Sequence, residues 1–308
     1  MDSPLFRWIC RTFRMAEPLD LLLSALEARL ALVLEPRIAA ALCEFLTFGL
    51  KELAACVFAG SFLLLLALSN HIKTPGVARY DTLFVGAIAI QLVLVALRLE
   101  TWREVAVLSL FHALGMGLEL FKTSPGVGSW SYPEPSLFHL GTVPLYSGFM
   151  YAAVASYLMQ AWRILDVRVT RFPPFWIAGG LAAAIYGNFF ANHYIVDLRW
   201  PLAALVLLAF WRTRVHFTVT RLERRMPLAL SFALIGFFIW VAENIATYFG
   251  AWAYPHQLHR WAIVGPNKIS SWTLLVIISF IIVAALKEAF PRRVAADLAA
   301  RPAASPTD

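Results

Sequence analysis

Eight apolar segments, each about as long as a membrane crossing, are the feature that most constrains this chain. A helix that spans the hydrocarbon core of a bilayer needs about 20 mostly apolar residues. The segments that approach this length are 52–69, 80–97, 104–121, 140–162, 174–192, 194–211, 228–249 and 267–286. Only 15% of the 308 residues are charged, against about 25% in soluble domains. The sequence therefore predicts an all-α polytopic membrane protein and excludes an ordinary soluble enzyme.

The Lys and Arg residues are distributed unequally between the connections on the two sides of these segments. Most of the 26 fall on the side of the N-terminus, and few fall on the opposite side. Cytoplasmic loops of membrane proteins carry such an excess of Lys and Arg. We therefore expect a multi-pass protein of the bacterial cytoplasmic (inner) membrane with both termini in the cytoplasm. The net charge of +7 reflects this topology and indicates no nucleic-acid partner.

The two ends of the chain differ from the apolar segments. Between residues 18 and 50, charged residues recur between leucines, which is typical of an amphipathic helix that lies on a membrane surface. Residues 1–50 are therefore predicted to be cytoplasmic or interfacial, and whether residues 38–50 enter the membrane is left open. Residues 291–308 are rich in Pro and Ala and contain few large apolar residues. This composition predicts a disordered cytoplasmic tail.

A short motif occurs twice in the chain. Residues 130–133 read Trp-Ser-Tyr-Pro and residues 252–255 read Trp-Ala-Tyr-Pro, at an offset of 122 residues (252 minus 130). A glutamate precedes each copy inside an apolar segment, at Glu119 and at Glu243. Repeated motifs at a fixed offset indicate a duplicated fold.

The same offset relates the Asn-His pair at 70–71 to the pair at 192–193. Four apolar segments therefore correspond to the next four, which divides the chain into a first repeat over 51–163 and a second repeat over 164–290. Because four is an even number, the two repeats have the same orientation in the membrane. The sequence thus predicts about 8 transmembrane helices in a 4+4 parallel internal repeat, preceded by an amphipathic N-terminal helix.

The doubled polar residues lie on the less basic side, so a functional site is expected there. A carboxylate inside a membrane span is costly unless it is paired, protonated or used. We predict Glu119 and Glu243 as catalytic acids, with His112, two helical turns before Glu119, as a third catalytic residue. The residues predicted to bind substrate are Trp130, Tyr132, Trp252, Tyr254, Asn70, His71, Asn192, His193, Asn244 and Lys268.

Structural explanations compete with these assignments. Trp and Tyr residues at span ends also form interfacial belts without further function. Ion pairs with Lys122 or Lys268 would give the two glutamates a structural role. No cofactor is predicted, because the His and acidic residues lack the short spacing of helical metal motifs. A divalent metal near His71 and His193 is a minor alternative.

Two segments near the second copy of the motif resemble a known family. Residues 243–255, which contain Glu243-Asn244 and the Trp-Ala-Tyr-Pro motif, are followed by Lys-Ile-Ser-Ser-Trp at 268–272 and Leu-Leu-Val-Ile at 274–277. From about Glu44 to Lys287 the chain resembles a bacterial integral-membrane family catalogued as domain of unknown function 817. That resemblance implies topology and no particular chemistry.

A looser resemblance covers about thirty residues in each half. An acid followed by Gly-x-Trp-x-Tyr-Pro, with Pro144 or Pro266 before the next span, is similar to the pattern in membrane lycopene cyclases of the non-flavin type and in carotenoid hydratases. The acidic pairs that follow the proline in those enzymes are absent here. Leu145-Tyr146 follows Pro144, and Asn267-Lys268 follows Pro266.

Three functional hypotheses follow. The first is a cofactor-free enzyme that acts on an isoprenoid or lipid substrate by proton-initiated isomerisation, cyclisation or hydration. The second is a transporter or small-solute carrier with a central Glu pair, which a polar path on the basic side would favour. The sequence offers little for such a path beyond Gln91, Asn188 and Gln160. The third is a non-catalytic lipid-binding or scaffold protein. Membrane lipid is a partner in each case, and the oligomeric state is left open.

Overall fold

The computed structural model describes residues 29, 35–72, 75–220 and 222–299, with side chains described as far as residue 287. The described chain is mostly helical, as predicted. Its helices are α1 (Pro36–Ala55), α2 (Val57–Ser69), α3 (Arg79–Ala96), α4 (Trp102–Lys122), α5 (Ser147–Ile164), α6 (Phe175–Ala191), α7 (Arg199–Phe210), α8 (Leu228–Tyr248) and α9 (Lys268–Ala299). A short 3-10 helix at Pro255–Gln257 follows the second copy of the motif.

Short strands lie in the connections between the helices. β1 (His139–Leu140) and β2 (Val143–Pro144) form a hairpin before α5. β3 (Arg168–Thr170), β4 (Arg214–Thr218) and β5 (Glu223–Pro227) form an antiparallel sheet in the order β3-β4-β5. We call the end of the bundle that carries this sheet the sheet end. The opposite end, with residues 130–133 and 252–255, is the motif end.

The sheet is an addition to the predicted all-α class. Its central strand β4 reads Arg-Val-His-Phe-Thr, and Val215 and Phe217 are buried while their neighbours are partly exposed. Such alternation over five residues is the pattern of a half-buried strand. The sheet joins the connections after α5 and α7, which the sequence assigns to loops. The alternation of buried and exposed residues that indicates a strand lies inside these connections.

Four helices are long and apolar enough to cross a membrane, which is consistent with a multi-pass membrane protein. They are α3, α4, α8 and the Lys268–Lys287 part of α9. α1 and α2 pass the same test only as one broken span, bent by 70° at Cys56. α6 and α7 are apolar but have only 17 and 12 residues. The eight spans therefore stay a prediction for α2, α5, α6 and α7.

The two predicted terminal segments are only partly described. α1 begins at Pro36 and continues past the predicted boundary at residue 50 to Ala55. It buries Ala39, Cys43 and Thr47 and exposes large apolar side chains such as Phe45. Most of residues 1–34 lie outside the described residues. At the other end, α9 continues through residues 291–299, which the sequence assigns to the tail.

The helices pack in pairs that recur along the chain. α4 packs along α5, and α8 packs along α9. α2 contacts α3 and α5, while α6 contacts α7 and α9. Two further contacts cross between the early and late helices, α4 with α6 and α8 with α2, and α5 also contacts α9. This arrangement brings the motif ends of α4, α5, α8 and α9 together.

Candidate functional site

The two copies of the motif meet at the motif end. Ser131 and Ala253 form an antiparallel bridge, in which each backbone N–H donates to the other residue's carbonyl over 2.9 Å. Ala253 has the same place in the second loop that Ser131 has in the first. The two loops therefore contact each other through corresponding residues, and the glutamate that precedes each loop lies beside this contact.

Glu119, on α4, is only 2% exposed and accepts three hydrogen bonds. Its Oε2 accepts from the Trp130 indole N–H and from the Tyr132 hydroxyl, each at 2.7 Å. Its Oε1 accepts from the Tyr151 hydroxyl at 2.7 Å. An indole N–H can only donate, whereas a tyrosine hydroxyl can donate or accept. Oε1 has one partner, the Tyr151 hydroxyl, which can accept as well as donate. Oε1 is therefore the oxygen better placed to carry a proton.

Glu243, on α8, is 3% exposed and accepts two hydrogen bonds. The Tyr254 hydroxyl donates to Oε1 at 2.6 Å, and the Trp272 indole N–H donates to Oε2 at 2.8 Å. Trp272 belongs to α9, whereas Trp130 belongs to the loop. Each acid is therefore bound by one tryptophan and by the tyrosine of its own motif, and Glu119 has one additional tyrosine.

The motif tyrosines lie in the loops and remain protonated. Burial raises the pKa of Tyr132 and Tyr254 well above the usual value, and the carboxylate beside each tyrosine raises it further. Both hydroxyls therefore keep their protons at neutral pH and can donate to the acids. The charge of Glu119 also acts on Tyr254, which belongs to the other loop. The two acids thus share one electrostatic environment.

Lys268 lies against the aromatic rings of both loops. Its ammonium group is 4.6 Å from the centre of the Tyr254 ring and 5.6 Å from the centre of the Trp130 ring. A cation over an aromatic face is attracted by the electron density of the ring. Within the described part of the chain, no Lys or Arg forms an ion pair within 4.0 Å of Glu119 or Glu243. The glutamates are thus held by aromatic donors.

His112 lies apart from the hydrogen bonds of Glu119. Its ring packs edge-on against Phe149, with the ring centres 4.9 Å apart. A Cβ atom added at Gly148 would lie 2.5 Å from His112 Nδ1, so the ring fills the space that this glycine leaves. Among the described residues the contacts of His112 are those of helix packing between α4 and α5.

The other predicted binding residues of the second half have defined partners. Trp252 is 7% exposed and lies in the apolar cluster at the motif end. Asn244 Oδ1 accepts from the Val264 N–H at 2.8 Å, which fixes the segment before α9. Asn192 and His193 both contact Lys122, whose ammonium group is 3.3 Å from Asn192 Oδ1 and 2.8 Å from His193 Nε2.

In the first half, Asn70 is more exposed than the corresponding Asn192, His71 is exposed like His193, and Asp81 is buried. Asn70 donates to the Phe249 carbonyl at 3.3 Å, and His71 lies exposed after α2. Asp81 accepts from the backbone N–H groups of Leu137 and Phe138 and fixes the connection before β1. In the described part of the chain, no group of three or more His, Cys, Asp and Glu side chains is arranged to hold a metal ion.

Tyr151 and Trp272 contact the acids although the sequence did not single them out. Both belong to the helix that follows each motif, and their contacts depend on how that helix packs. Gly115 is the one local signal for Tyr151. A Cβ atom at Gly115 would lie 2.4 Å from Tyr151 Cδ2, so the tyrosine ring packs where a side chain would be.

Arg79 and Glu134 form a second feature that the sequence did not single out. The Arg79 guanidinium donates to both carboxylate oxygens of Glu134, with a shortest distance of 2.6 Å. It also donates to the carbonyls of Phe249 and Gly250 at 3.1 and 2.6 Å. Arg79, at the start of α3, therefore fastens the second loop to the first half of the chain.

A small apolar crevice lies next to Tyr151. It is formed by α4, α5, α6 and α9 and includes Phe111, Gly115, Leu118, Tyr151, Tyr186 and Leu275. It encloses about 20 Å³, room for roughly one water molecule. Tyr186 closes it on one side by donating to the Leu114 carbonyl at 3.0 Å. Tyr151 is thus both a wall of the crevice and a hydrogen-bond donor to Glu119.

Comparisons with known proteins agree on one family. A family model described as "Protein of unknown function (DUF817)" matches residues 44–280. The chain is 51% identical over 248 residues to "Uncharacterized protein YoaT" of Bacillus subtilis (strain 168). That match covers 80% of this chain and 93% of the relative. No solved structure matches.

Proposed function

Because the chain belongs to the family described as protein of unknown function DUF817, whose description gives no activity, we propose its function from the motif end. The protein is a cofactor-free membrane enzyme that protonates an isoprenoid or other lipid substrate. Isomerisation, cyclisation and hydration all begin with such a step. The apolar crevice and the local similarity to lycopene cyclases and carotenoid hydratases favour this substrate class.

One observation carries the proposal: Tyr151 lines the crevice and donates to Glu119. In this mechanism Glu119 is protonated at Oε1 and donates to the Tyr151 hydroxyl, which transfers its own proton to a carbon–carbon double bond and takes the Glu119 proton in its place. The carbocation then loses a proton from a neighbouring carbon, closes a ring or takes up water, and the proton released in the final step returns through Tyr151 to the Glu119 carboxylate. Trp130 and Tyr132 hold the other oxygen of Glu119 as an acceptor throughout. Because the crevice is small, the substrate enters between α4 and α6 when these helices separate.

The parallel 4+4 repeat is part of the same proposal, with repeats over 51–163 and 164–290. Its support is the correspondence between contacts, since α4–α5 matches α8–α9 and α4–α6 matches α8–α2. The pseudo-twofold axis passes between Ser131 and Ala253, which bind each other. Two corresponding residues can pair symmetrically only at such an axis.

We also propose the inner membrane as the location, with the sheet end and both termini on the cytoplasmic side. This orientation is supported by a group of basic residues in the strands of the sheet, which lie at one end of the bundle. These are Arg168, Arg214, Arg224 and Arg225. Such an excess of basic residues is typical of the cytoplasmic side.

The test is to compare the lipids that co-purify with the wild-type protein and with Tyr151→Phe. The substituted side chain keeps the ring but has no hydroxyl to transfer a proton. We expect the variant to retain a lipophilic substrate that the wild type has converted. Mass spectrometry of the extracted lipids identifies it, and incubation with wild-type protein should then give an isomer or a product heavier by one water.

The matched control is Tyr186→Phe, which removes a hydroxyl from the same crevice without touching Glu119. This variant should convert the trapped species, and Glu119→Gln should not. If Tyr151→Phe and Glu119→Gln both fold and retain the same lipids as the wild type, the acid–base role is wrong. A lipid-binding or scaffold role would then be favoured.

A second candidate function, a proton-coupled carrier, is favoured by buried polar groups near the sheet end. Glu100 is 2% exposed and accepts from Gln91 and Ser156. Gln160 donates to the Leu99 carbonyl at 2.9 Å. A carrier predicts solute uptake into proteoliposomes under a pH gradient and its loss in Glu100→Gln. An enzyme whose site is at the motif end predicts that Glu100→Gln still converts lipid.

A further inference from the structure

Lys122 is a buried lysine at the motif end of α4. Its residue exposure is 6%, and it is the last residue of that helix. Its ammonium group contacts Asn192 Oδ1 and His193 Nε2, which are neutral partners. Among the described residues no carboxylate lies within 4.0 Å of it. Buried charges are normally paired because desolvation is costly, so these surroundings favour the binding of an anion.

Two further cations lie within electrostatic reach of Lys122. Lys268 begins α9 and Arg199 begins α7, and the charges of all three residues act on one another. The Arg199 guanidinium is 3.3 Å from the Asn267 carbonyl and 3.3 Å from Ser270 Oγ, beside Lys268. Helix N-termini carry partial positive charge, so the starts of α7 and α9 add to the positive potential.

The nearby acids neutralise only part of this cluster, because Asp197 pairs with Arg199 while Lys122 and Lys268 form no ion pair in the described part of the chain. Asp197 lies 3.1 Å from the Arg199 guanidinium, and it also accepts from Asn188 at 3.0 Å. Glu243 acts on Lys268 from beyond ion-pair distance, and its oxygens are bound by aromatic donors. Burial and the charges of Lys122 and Lys268 lower the pKa of His193, so this ring is neutral at pH 7 and accepts from Lys122.

Lys122 and Lys268 of the cluster belong to α4 and α9, the helices that line the crevice beside Tyr151, and lie nearer the motif end than the crevice residues. On α4, Lys122 follows the crevice residue Leu118 by four positions, about 6 Å further along the same helix face. On α9, Lys268 precedes the crevice residue Leu275 by seven positions, two turns along the same face. His193 follows the end of α6, which contributes Tyr186 to the crevice. The cations therefore lie one to two helical turns beyond the apolar crevice, on the same helices.

We propose that Lys122, Arg199 and Lys268 bind the phosphate group of an anionic lipid whose apolar chain lies along the crevice. A phosphate oxygen accepts strong charge-assisted hydrogen bonds from Lys and Arg. This inference rests on the proposed function, because it names the substrate class of the same crevice. The bound phosphate supplies the negative charge that the buried Lys122 lacks.

The experiment measures the shift in thermal unfolding of the protein in a neutral detergent with three probes. These are phosphatidic acid, diacylglycerol with the same acyl chains, and inorganic phosphate. We expect phosphatidic acid to stabilise the protein most, because only this probe offers both the head and the chain. In the double variant Lys122→Gln and Lys268→Gln, we expect its apparent affinity to fall at least tenfold. Arg260→Gln, an exposed arginine at the same end, is the matched control and should bind normally.

The outcomes separate the sources of the phosphate and the two proposals. If diacylglycerol stabilises as well as phosphatidic acid, the cation site is wrong. Inorganic phosphate could stabilise the protein as much as phosphatidic acid does, and the double variant could abolish that stabilisation. In that case the site binds a free anion and the lipid class is wrong. Without a probe, the double variant should be as stable as the wild type, since it relieves repulsion. Tyr151→Phe should bind phosphatidic acid normally, so lost conversion with retained binding tests the mechanism separately.

Discussion

Arg79 begins α3 and Arg199 begins α7, so each marks one side of the motif end. The two arginines differ in the partners that neutralise their charge. Arg79 is held by Glu134 and by two carbonyls of the opposite loop. Arg199 pairs with a partly exposed Asp197 and faces Lys122 and Lys268. The first side therefore uses its charge to hold the loops together. On the second side, Lys122 and Lys268 form no ion pair within 4.0 Å among the described residues, so positive charge is left there.

The two acids differ in a related way. Glu119 is fixed by three donors, and one of them, Tyr151, reaches the crevice. Glu243 is fixed by two donors and lies beside Lys268. Under the proposed function, Glu119 transfers protons with Tyr151, and Glu243 supports the cation cluster.

The largest effect is expected when each acid is replaced by leucine. Glu119→Leu leaves three buried donors without an acceptor, and Glu243→Leu leaves two. An unsatisfied buried donor costs about 1–3 kcal/mol, so Glu119→Leu should destabilise by roughly 1–3 kcal/mol more than Glu243→Leu. Denaturant unfolding in detergent measures the difference. The Gln variants keep an acceptor and should lose less. Equal losses for the two leucine variants would show that the third donor contributes nothing.

The next effect concerns the two arginines. Arg79→Ala leaves Glu134 unpaired and releases the carbonyls of Phe249 and Gly250. We expect a loss of about 3 kcal/mol, the lower end for a broken buried pair, because Glu134 is 36% exposed and can be hydrated. Arg199→Ala should cost less than about 1 kcal/mol, since it also relieves repulsion with Lys122 and Lys268. The same unfolding measurement applies, and a larger loss for Arg199→Ala would reverse the comparison.

A smaller effect is expected at the glycines of α4. In Gly115→Ala the new methyl group would meet Tyr151 Cδ2 at 2.4 Å, so the ring must move. We expect a loss of about 1–3 kcal/mol from overpacking, together with reduced lipid conversion. Gly117→Ala is the control, because its nearest neighbour would be Tyr186 Oη at 3.6 Å, an ordinary contact. If both variants behave alike, close packing of Tyr151 is not required.

The smallest effect is a pH dependence at His193. Its pKa is lowered from the ordinary 6.5 by burial and by the charges of Lys122 and Lys268. The folded state therefore binds fewer protons than the unfolded state, so stability falls as the pH drops below about 6.5. His193→Gln should remove this part of the slope of melting temperature against pH. A slope of opposite sign in the wild type would contradict the shift.

Much of this organisation could be predicted from the sequence. The resemblance to the DUF817 family is confirmed over residues 44–280, and the mostly helical class with apolar helices is confirmed. The two copies of the Trp-x-Tyr-Pro motif lie together at the motif end, where Tyr132 and Tyr254 each donate to the glutamate that precedes their motif.

The rest depends on packing angles, which periodicity does not encode. His112 and Glu119 share a helix face, yet the His112 ring packs against Phe149 while Glu119 turns towards the loop. Tyr151 reaches Glu119 only because Gly115 lets α5 approach α4 closely. The 70° bend between α1 and α2 was also hidden, because the apolar run continues through Cys56 without a proline or glycine at the break.

The most direct test of the central claim is an experimental density map of the protein purified from its native membrane. We expect a lipid between α4 and α6 at the motif end, with its chain against Tyr151 and its phosphate at Lys122 and Lys268. In Tyr151→Phe the same position should hold the unconverted substrate. A hydrated cavity that connects Glu243 to the sheet end, with no lipid in the crevice, would contradict the enzyme proposal and favour a carrier.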